Sequence, residues 1–102
     1  MGNPMKIRAT ANGDLTEIKV LMRHDMETGL RREGGVLVPA WHIQEVSVKV
    51  NGKLALQAEW GPAISKDPFL SLKVKGAAKG DSVSVTWVDN KGDSRSDETK
   101  VV

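Results

Sequence analysis

Trp60-Gly61-Pro62-Ala63-Ile64-Ser65-Lys66-Asp67-Pro68-Phe69-Leu70 is the stretch whose reading decides the fold. It holds one of three tryptophans, the only phenylalanine and two of the four prolines. Proline supplies no amide donor and restricts the residue before it, so Gly61-Pro62 and Asp67-Pro68 are two separate breaks in sheet pairing. Ala63-Ile64 between them is too short for a helix. The simplest geometry is a strand ending at Trp60, a crossover carrying Ile64 and a new strand starting at Phe69. Such a crossover joins the two sheets of a sandwich.

On either side, Val, Ile and Thr recur at period two with Gly or Asn-Gly punctuation, the pattern of an antiparallel all-β domain. Strands are expected at Lys6 to Ala11, Glu17 to Met22, Ile43 to Lys49, Lys53 to Trp60, Phe69 to Lys75, Ser82 to Val88 and Ser94 to Val102. About seven short strands in about a hundred residues match an immunoglobulin-like β-sandwich. Of the large aromatics, Trp60, Phe69 and Trp87 are assigned to the core.

One hairpin can be read further. Val46, Val48 and Val50 precede Asn51-Gly52, and Leu54, Leu56, Ala58 and Trp60 follow it. A two-residue type I′ turn would pair Val48 with Ala55 and send valines and leucines to opposite faces. Parity therefore favours a three-residue loop, Val50-Asn51-Gly52, closed by a G1 bulge that pairs Lys49 with Lys53, Val48 with Leu54 and Val46 with Leu56. The segment from Arg23 to Trp41 lacks sustained periodicity and reads as a long loop with a short strand near Val36 to Val38. Loops of this length inside small domains are more often functional than incidental.

A chain of 102 residues is one domain, 1–102, with a single core. Its formal charge of +2 comes from 15 basic and 13 acidic residues that alternate along the chain. That mixture argues against a nucleic-acid surface, which gathers Lys and Arg on one face. With no cysteine, the chain has no thiol catalysis, disulfide or thiolate metal site of its own. No run approaches a membrane span or a signal-peptide core, so any export is expected to depend on a removed leader or on another chain.

Little else points to chemistry. His24 and His42 are the only imidazoles, and a zinc site wants three or four ligands; Asp25 and Glu27 are near enough in sequence to be recruited, and Met22 and Met26 raise a copper alternative. The plainer reading is loop histidines that bond locally or sit at an interface. No serine occupies a nucleophile elbow, no carboxylates are set out as an acid and base pair, and no glycine-rich phosphate loop is present. The expectation is therefore no enzyme, no catalytic residue, no metal and no cofactor. What remains is binding, either through apolar residues in loops and strand ends or by sheet augmentation at open edges, notably the polar C-terminal strand.

Particular residues say more. Arg8-Ala9-Thr10, Glu17 to Met22, His24-Asp25-Met26-Glu27-Thr28-Gly29-Leu30-Arg31, Pro39-Ala40, the Trp60 to Leu70 stretch, Asp81 and Trp87 to Asp93 together resemble the SoxZ family. One departure is Asp25, where the family has proline. The resemblance implies an immunoglobulin-like, non-catalytic subunit of the SoxYZ carrier in thiosulfate oxidation. In that carrier the sulfur adduct rides on a cysteine of SoxY, and other Sox enzymes act on it in turn. It further implies a heterodimer with a SoxY-type subunit, transient contact with Sox enzymes and a periplasmic location reached by co-export. Met26, Trp60, Pro62, Ile64 and Phe69 are the candidates for the subunit contact, and Arg31 and Arg32, with Glu33, for the enzymes. Apolar surface left uncovered without the partner would encourage self-association into a homo-oligomer, which the sequence alone does not decide. The rival reading is a stand-alone β-sandwich module that binds a ligand or protein.

Overall fold

The computed structural model describes residues 2–102, and among these there are nine strands and no helix. In chain order they are β1 (Lys6–Asn12), β2 (Leu15–Leu21), β3 (Arg32–Glu33), β4 (Val36–Leu37), β5 (Ile43–Val50), β6 (Lys53–Glu59), β7 (Phe69–Lys75), β8 (Ser82–Asp89) and β9 (Ser94–Lys100). One antiparallel sheet has the order β1-β2-β7, the other β6-β5-β8-β9, and β3 and β4 form a separate hairpin. This is the expected immunoglobulin-like sandwich. The crossover is also as expected, since the chain leaves β6 in one sheet and re-enters as β7 in the other.

Period-two alternation builds the core. Register brings Ile7, Val20 and Leu70 into one row of the smaller sheet and Ala9, Ile18 and Leu72 into the next. In the larger sheet the rows are Ala58, Val46 and Trp87, then Leu56, Val48 and Val85. Ile18, Val20, Met22, Ile43, Val46, Val48, Val83, Val85 and Trp87 are all fully buried or nearly so. Burying each stabilises the fold by about 1.5–3 kcal/mol before entropy is counted. Phe69 is a correction: it is 61% exposed, because it shares the outward phase of Ser71 and Lys73 while Leu70 takes the inward one. Trp60 is half-buried against the core and Trp87 is buried as expected.

The Asn51-Gly52 hairpin also differs from expectation. Both residues have positive φ, 49° and 82°, and Val50 pairs with Lys53, so the turn is the two-residue type I′ form. Parity is restored further along, where Lys49 pairs with Leu54 but Val48 pairs with Leu56, leaving Ala55 as the extra residue of a bulge. A bulge was required, and it lies in β6, not in the turn. The price is Leu54, which falls on the outward side with Lys49 and is 54% exposed.

The two lateral seams of the sandwich are unlike. At the β1/β9 seam, the Val102 carbonyl accepts from the Ala11 amide and the Val102 amide donates to the Ala9 carbonyl, so the C-terminal segment fills the edge of β1. The N-terminal segment lies on β9, with the Gly2 amide bonded to the Ser94 carbonyl and the Met5 amide to the Asp97 carboxylate. At the opposite seam, β6 and β7 are each paired on one edge only. Their inward residues Leu56, Ala58, Leu70, Leu72 and Val74 are all only partly buried.

Deletion of Ala55 should remove the bulge while keeping Leu56, Ala58 and Trp60 on the core face. Urea unfolding of that variant is expected to fall within about 1 kcal/mol of the parent. Deletion of Gln57, which turns Leu56 outward unless the pairing slips, should cost clearly more.

Candidate functional site

The end of the sandwich that carries the crossover is organised by one buried carboxylate. Asp89, the last residue of β8, is 2% exposed. Its Oδ1 accepts from the amides of Lys91 and Asp93 at 2.9 Å each, which closes the Asp89 to Asp93 turn. Its Oδ2 accepts from Trp41 Nε1 at 2.8 Å and is bonded to His24 Nε2 at 3.0 Å. His24 Nδ1 in turn accepts from the Met26 amide at 3.1 Å, so Nε2 is the ring nitrogen that donates to Asp89. Burial pushes the Asp89 carboxyl up, but the bonds from His24, Trp41 and the two amides outweigh it and hold it below the ordinary carboxylate range.

Each arm from this carboxylate ends at an exposed element. Through His24, the carboxylate fixes the crossover: the His24 amide donates to Asp67 Oδ1 at 3.0 Å, the Asp67 amide donates to the His24 carbonyl at 2.9 Å, and the Met22 amide bonds the Pro68 carbonyl. Through Trp41, it fixes the ribbon that runs out to β3 and β4, whose base is the reciprocal backbone pair Glu27 and Trp41. Lys91 Nζ lies 4.3 Å from the Trp41 ring centre and covers it. The His24 ring packs edge-on to Trp87 at 5.1 Å and tilted to Trp41 at 4.9 Å.

The crossover presents an open groove of about 550 Å³ in which Trp60, Ala63, Ile64, Pro68 and Phe69 are joined by the polar Ser65, Lys66 and Asp67. Three of the residues singled out from sequence, Trp60, Ile64 and Phe69, therefore meet on one surface. Pro62 is exposed on the same crossover but does not line the groove. Met26 is elsewhere: it is 5% exposed, has φ of 53°, and its sulfur accepts from the Ile43 amide at 3.3 Å. It belongs to the core of the sandwich. Asp25 is exposed, and the loop is held by the bonds of His24 on either side of it.

Arg31 and Arg32 sit on the ribbon. Arg31 forks onto Glu27, with Nη2 at 2.7 Å from Oε1 and Nε at 3.0 Å from Oε2, and also reaches Glu33 at 3.4 Å. The Glu27 bond lowers the acid and raises the base, so most of Arg31's charge is offset locally. Arg32 donates to the Gly35 carbonyl at the ribbon tip. The tip is a tight turn in which Gly34 and Gly35 have φ of 59° and 83°. Leu30, Val36 and Leu37 are exposed along it.

His24 and Asp89 form a buried pair, but both imidazole nitrogens are already bonded within the fold, so the ring has no atom to offer a substrate. Among the described residues, no group of three or more His, Cys, Asp and Glu is gathered as a metal site requires. A cavity of about 400 Å³ beside His24 mixes Arg23 and Lys66 with Asp25, Asp67 and Asp93, and so selects neither sign of ligand. In the sequence, Asp89 stands out only as part of the Trp87 to Asp93 segment that carries the family resemblance. Its Asx-type pattern with Lys91 and Asp93 is local and legible, whereas its partners His24 and Trp41 lie 65 and 48 residues away.

Asp89→Asn keeps one acceptor but turns an amide donor towards Trp41 or His24, and should destabilise the fold by about 2–4 kcal/mol at pH 7. A carboxyl that is more acidic when folded stabilises the native state above its unfolded pKa, and that contribution is lost as pH falls from about 4 towards the folded value. Acid unfolding followed by tryptophan fluorescence should therefore be less steep in the variant. An unchanged stability and acid profile would contradict the role given to Asp89.

Comparison with known proteins bears on the fold and the family. No curated protein matches the chain. Among solved structures, the hypothetical protein PH1083 from Pyrococcus horikoshii OT3 is similar in fold, with a TM-score of 0.66 at 16% identity over 98% of this chain and 88% of that one. At that identity the likeness speaks for the sandwich alone. The family profile described as sulphur oxidation protein SoxZ matches residues 5–100. Nearly the whole chain is covered, and it belongs to the SoxZ family, with a role in the Sox sulfur-oxidation system.

Proposed function

We propose that this chain is the non-catalytic subunit of a SoxYZ carrier, binding the cysteine-bearing SoxY-type subunit and holding it so that Sox enzymes can process the sulfur adduct. The observation that carries this reading is the set of apolar side chains uncovered in the crossover groove, where Phe69 is 61% exposed and Ile64 36% exposed beside Trp60. Large side chains in that state favour a partner that covers them. The chain has no cysteine to hold a sulfane or thiosulfonate group, and both ring nitrogens of His24 are engaged within the fold. The adduct accordingly belongs to the partner subunit.

In this reading the ribbon bearing Arg31, Arg32 and Glu33 adds a recognition surface for the enzymes, at the same end of the sandwich as the subunit contact. The complex works in the periplasm, reached together with the partner. Without the partner, the groove drives weak self-association.

Mixing this chain with the SoxY-type subunit at micromolar concentration should give a heterodimer in sizing chromatography. Replacing the exposed pair, Ile64→Asp with Phe69→Asp, should leave the unfolding midpoint nearly unchanged and weaken the complex by about 10–100-fold. Separate peaks for the parent chains, or thiosulfate turnover by this chain alone, would overturn the proposal.

A further inference from the structure

The unequal seams lead further. The phase of the β2/β7 ladder is set by the Met22 amide bonded to the Pro68 carbonyl. In an antiparallel pair, bonded positions alternate with positions whose amides and carbonyls point to the opposite edge. With Met22 opposite Pro68, the register makes Leu70, Leu72 and Val74 the residues bonded to β2. Phe69, Ser71, Lys73 and Lys75 therefore turn their backbone groups to the free edge. The equivalent outward groups of β1, at Ala9 and Ala11, are taken by Val102.

Proteins protect a free edge with bulges, prolines or charges. The edge of β6 has its bulge at Ala55, which interrupts the run of outward groups. β7 has seven residues in unbroken register with no bulge and no proline. Its only charges are Lys73, which stands opposite Glu17 of β2, and Lys75, which stands opposite Leu15; the strand itself holds no acidic residue. Two copies of β7 brought together would place four lysines in one seam, which disfavours self-pairing and favours an acidic strand. Beneath the edge, Leu70, Leu72 and Val74 are incompletely covered, and a groove of about 440 Å³ at the end of the seam runs between Leu54 and Ala55 on one side and Val74 and Lys75 on the other.

We infer that the free edge of β7 receives a strand of the SoxY-type subunit, extending the β1-β2-β7 sheet by one. The incoming strand has apolar residues at every second position, facing the seam, and acidic residues between them, facing Lys73 and Lys75. This rests on the carrier-subunit reading and adds to it a defined edge and a sequence pattern for the occupant. The β7 edge begins at Phe69, so it is continuous with the crossover groove.

The test is hydrogen exchange of the isolated chain and of its complex with the SoxY-type subunit, with two variants. In the complex, the Ser71 and Lys73 amides should exchange at least about tenfold more slowly than in the free chain. Lys73→Pro removes an outward amide without touching a bond to β2, and should weaken the complex by about tenfold or more at a nearly unchanged unfolding midpoint. Lys73→Glu with Lys75→Glu should weaken it in a salt-dependent way. If the complex forms but these amides stay unprotected and both variants bind like the parent, the strand addition is wrong while the carrier-subunit reading stands. If no complex forms, both fail. Protection of the same amides in the free chain that grows with its concentration would make β7 a self-pairing edge and overturn the inference.

Discussion

Four hydrogen bonds to the Asp89 carboxylate hold together the end of this molecule on which its surfaces are displayed. Two come from its own turn and keep the β8 to β9 connection tight. The other two come from His24 and Trp41, which belong to the crossover clasp and the ribbon stem. A buried carboxylate without partners would cost several kcal/mol, but here every acceptor site is filled, so the charge becomes an anchor. Met26 with its left-handed backbone, the Asp67 turn and the covered Trp41 ring are all arranged around this group.

From that anchor the molecule divides into a finished side and an unfinished one. Along β1 and β9 the chain termini satisfy the strand edges, and Met5, Ala9 and Val101 are buried beneath them. Along β6 and β7 nothing in the described residues plays that part, and the inward side chains of both strands are only partly buried. A domain of this size has little core to spare, so incomplete burial of five inward side chains is a considerable concession in stability. It is intelligible if another subunit completes the seam. Membership of the SoxZ family, whose members act in sulfur oxidation, gives that asymmetry a biological setting.

Much of the fold was legible because it is written locally. Alternation of Val46, Val48 and Val50 fixed a face, two prolines fixed the crossover, and both features stand in the structure. The hairpin shows where local reading ends. Parity demanded a bulge somewhere between Val48 and Leu56, but its place at Ala55 depends on which strand is an edge and can bend without breaking a second ladder. Phe69 was assigned to the core on size alone, although its parity with Ser71 and Lys73 already pointed outward. Trp60, Ile64 and Phe69 were singled out one by one as contact candidates, and the structure places them on one groove. The Asp89 cluster was not, because its partners are distant in sequence and a single aspartate in a turn carries no mark of burial.

The decisive property of the molecule is which of its surfaces a SoxY-type subunit covers. Hydroxyl-radical footprinting of the chain, free and bound to the SoxY-type subunit, measures that directly. Trp60, Ile64, Phe69 and Leu72 should lose labelling on binding, while Leu30, Val36 and Leu37 at the ribbon keep theirs. A footprint confined to the ribbon, with the crossover and β7 labelled as in the free chain, would contradict it.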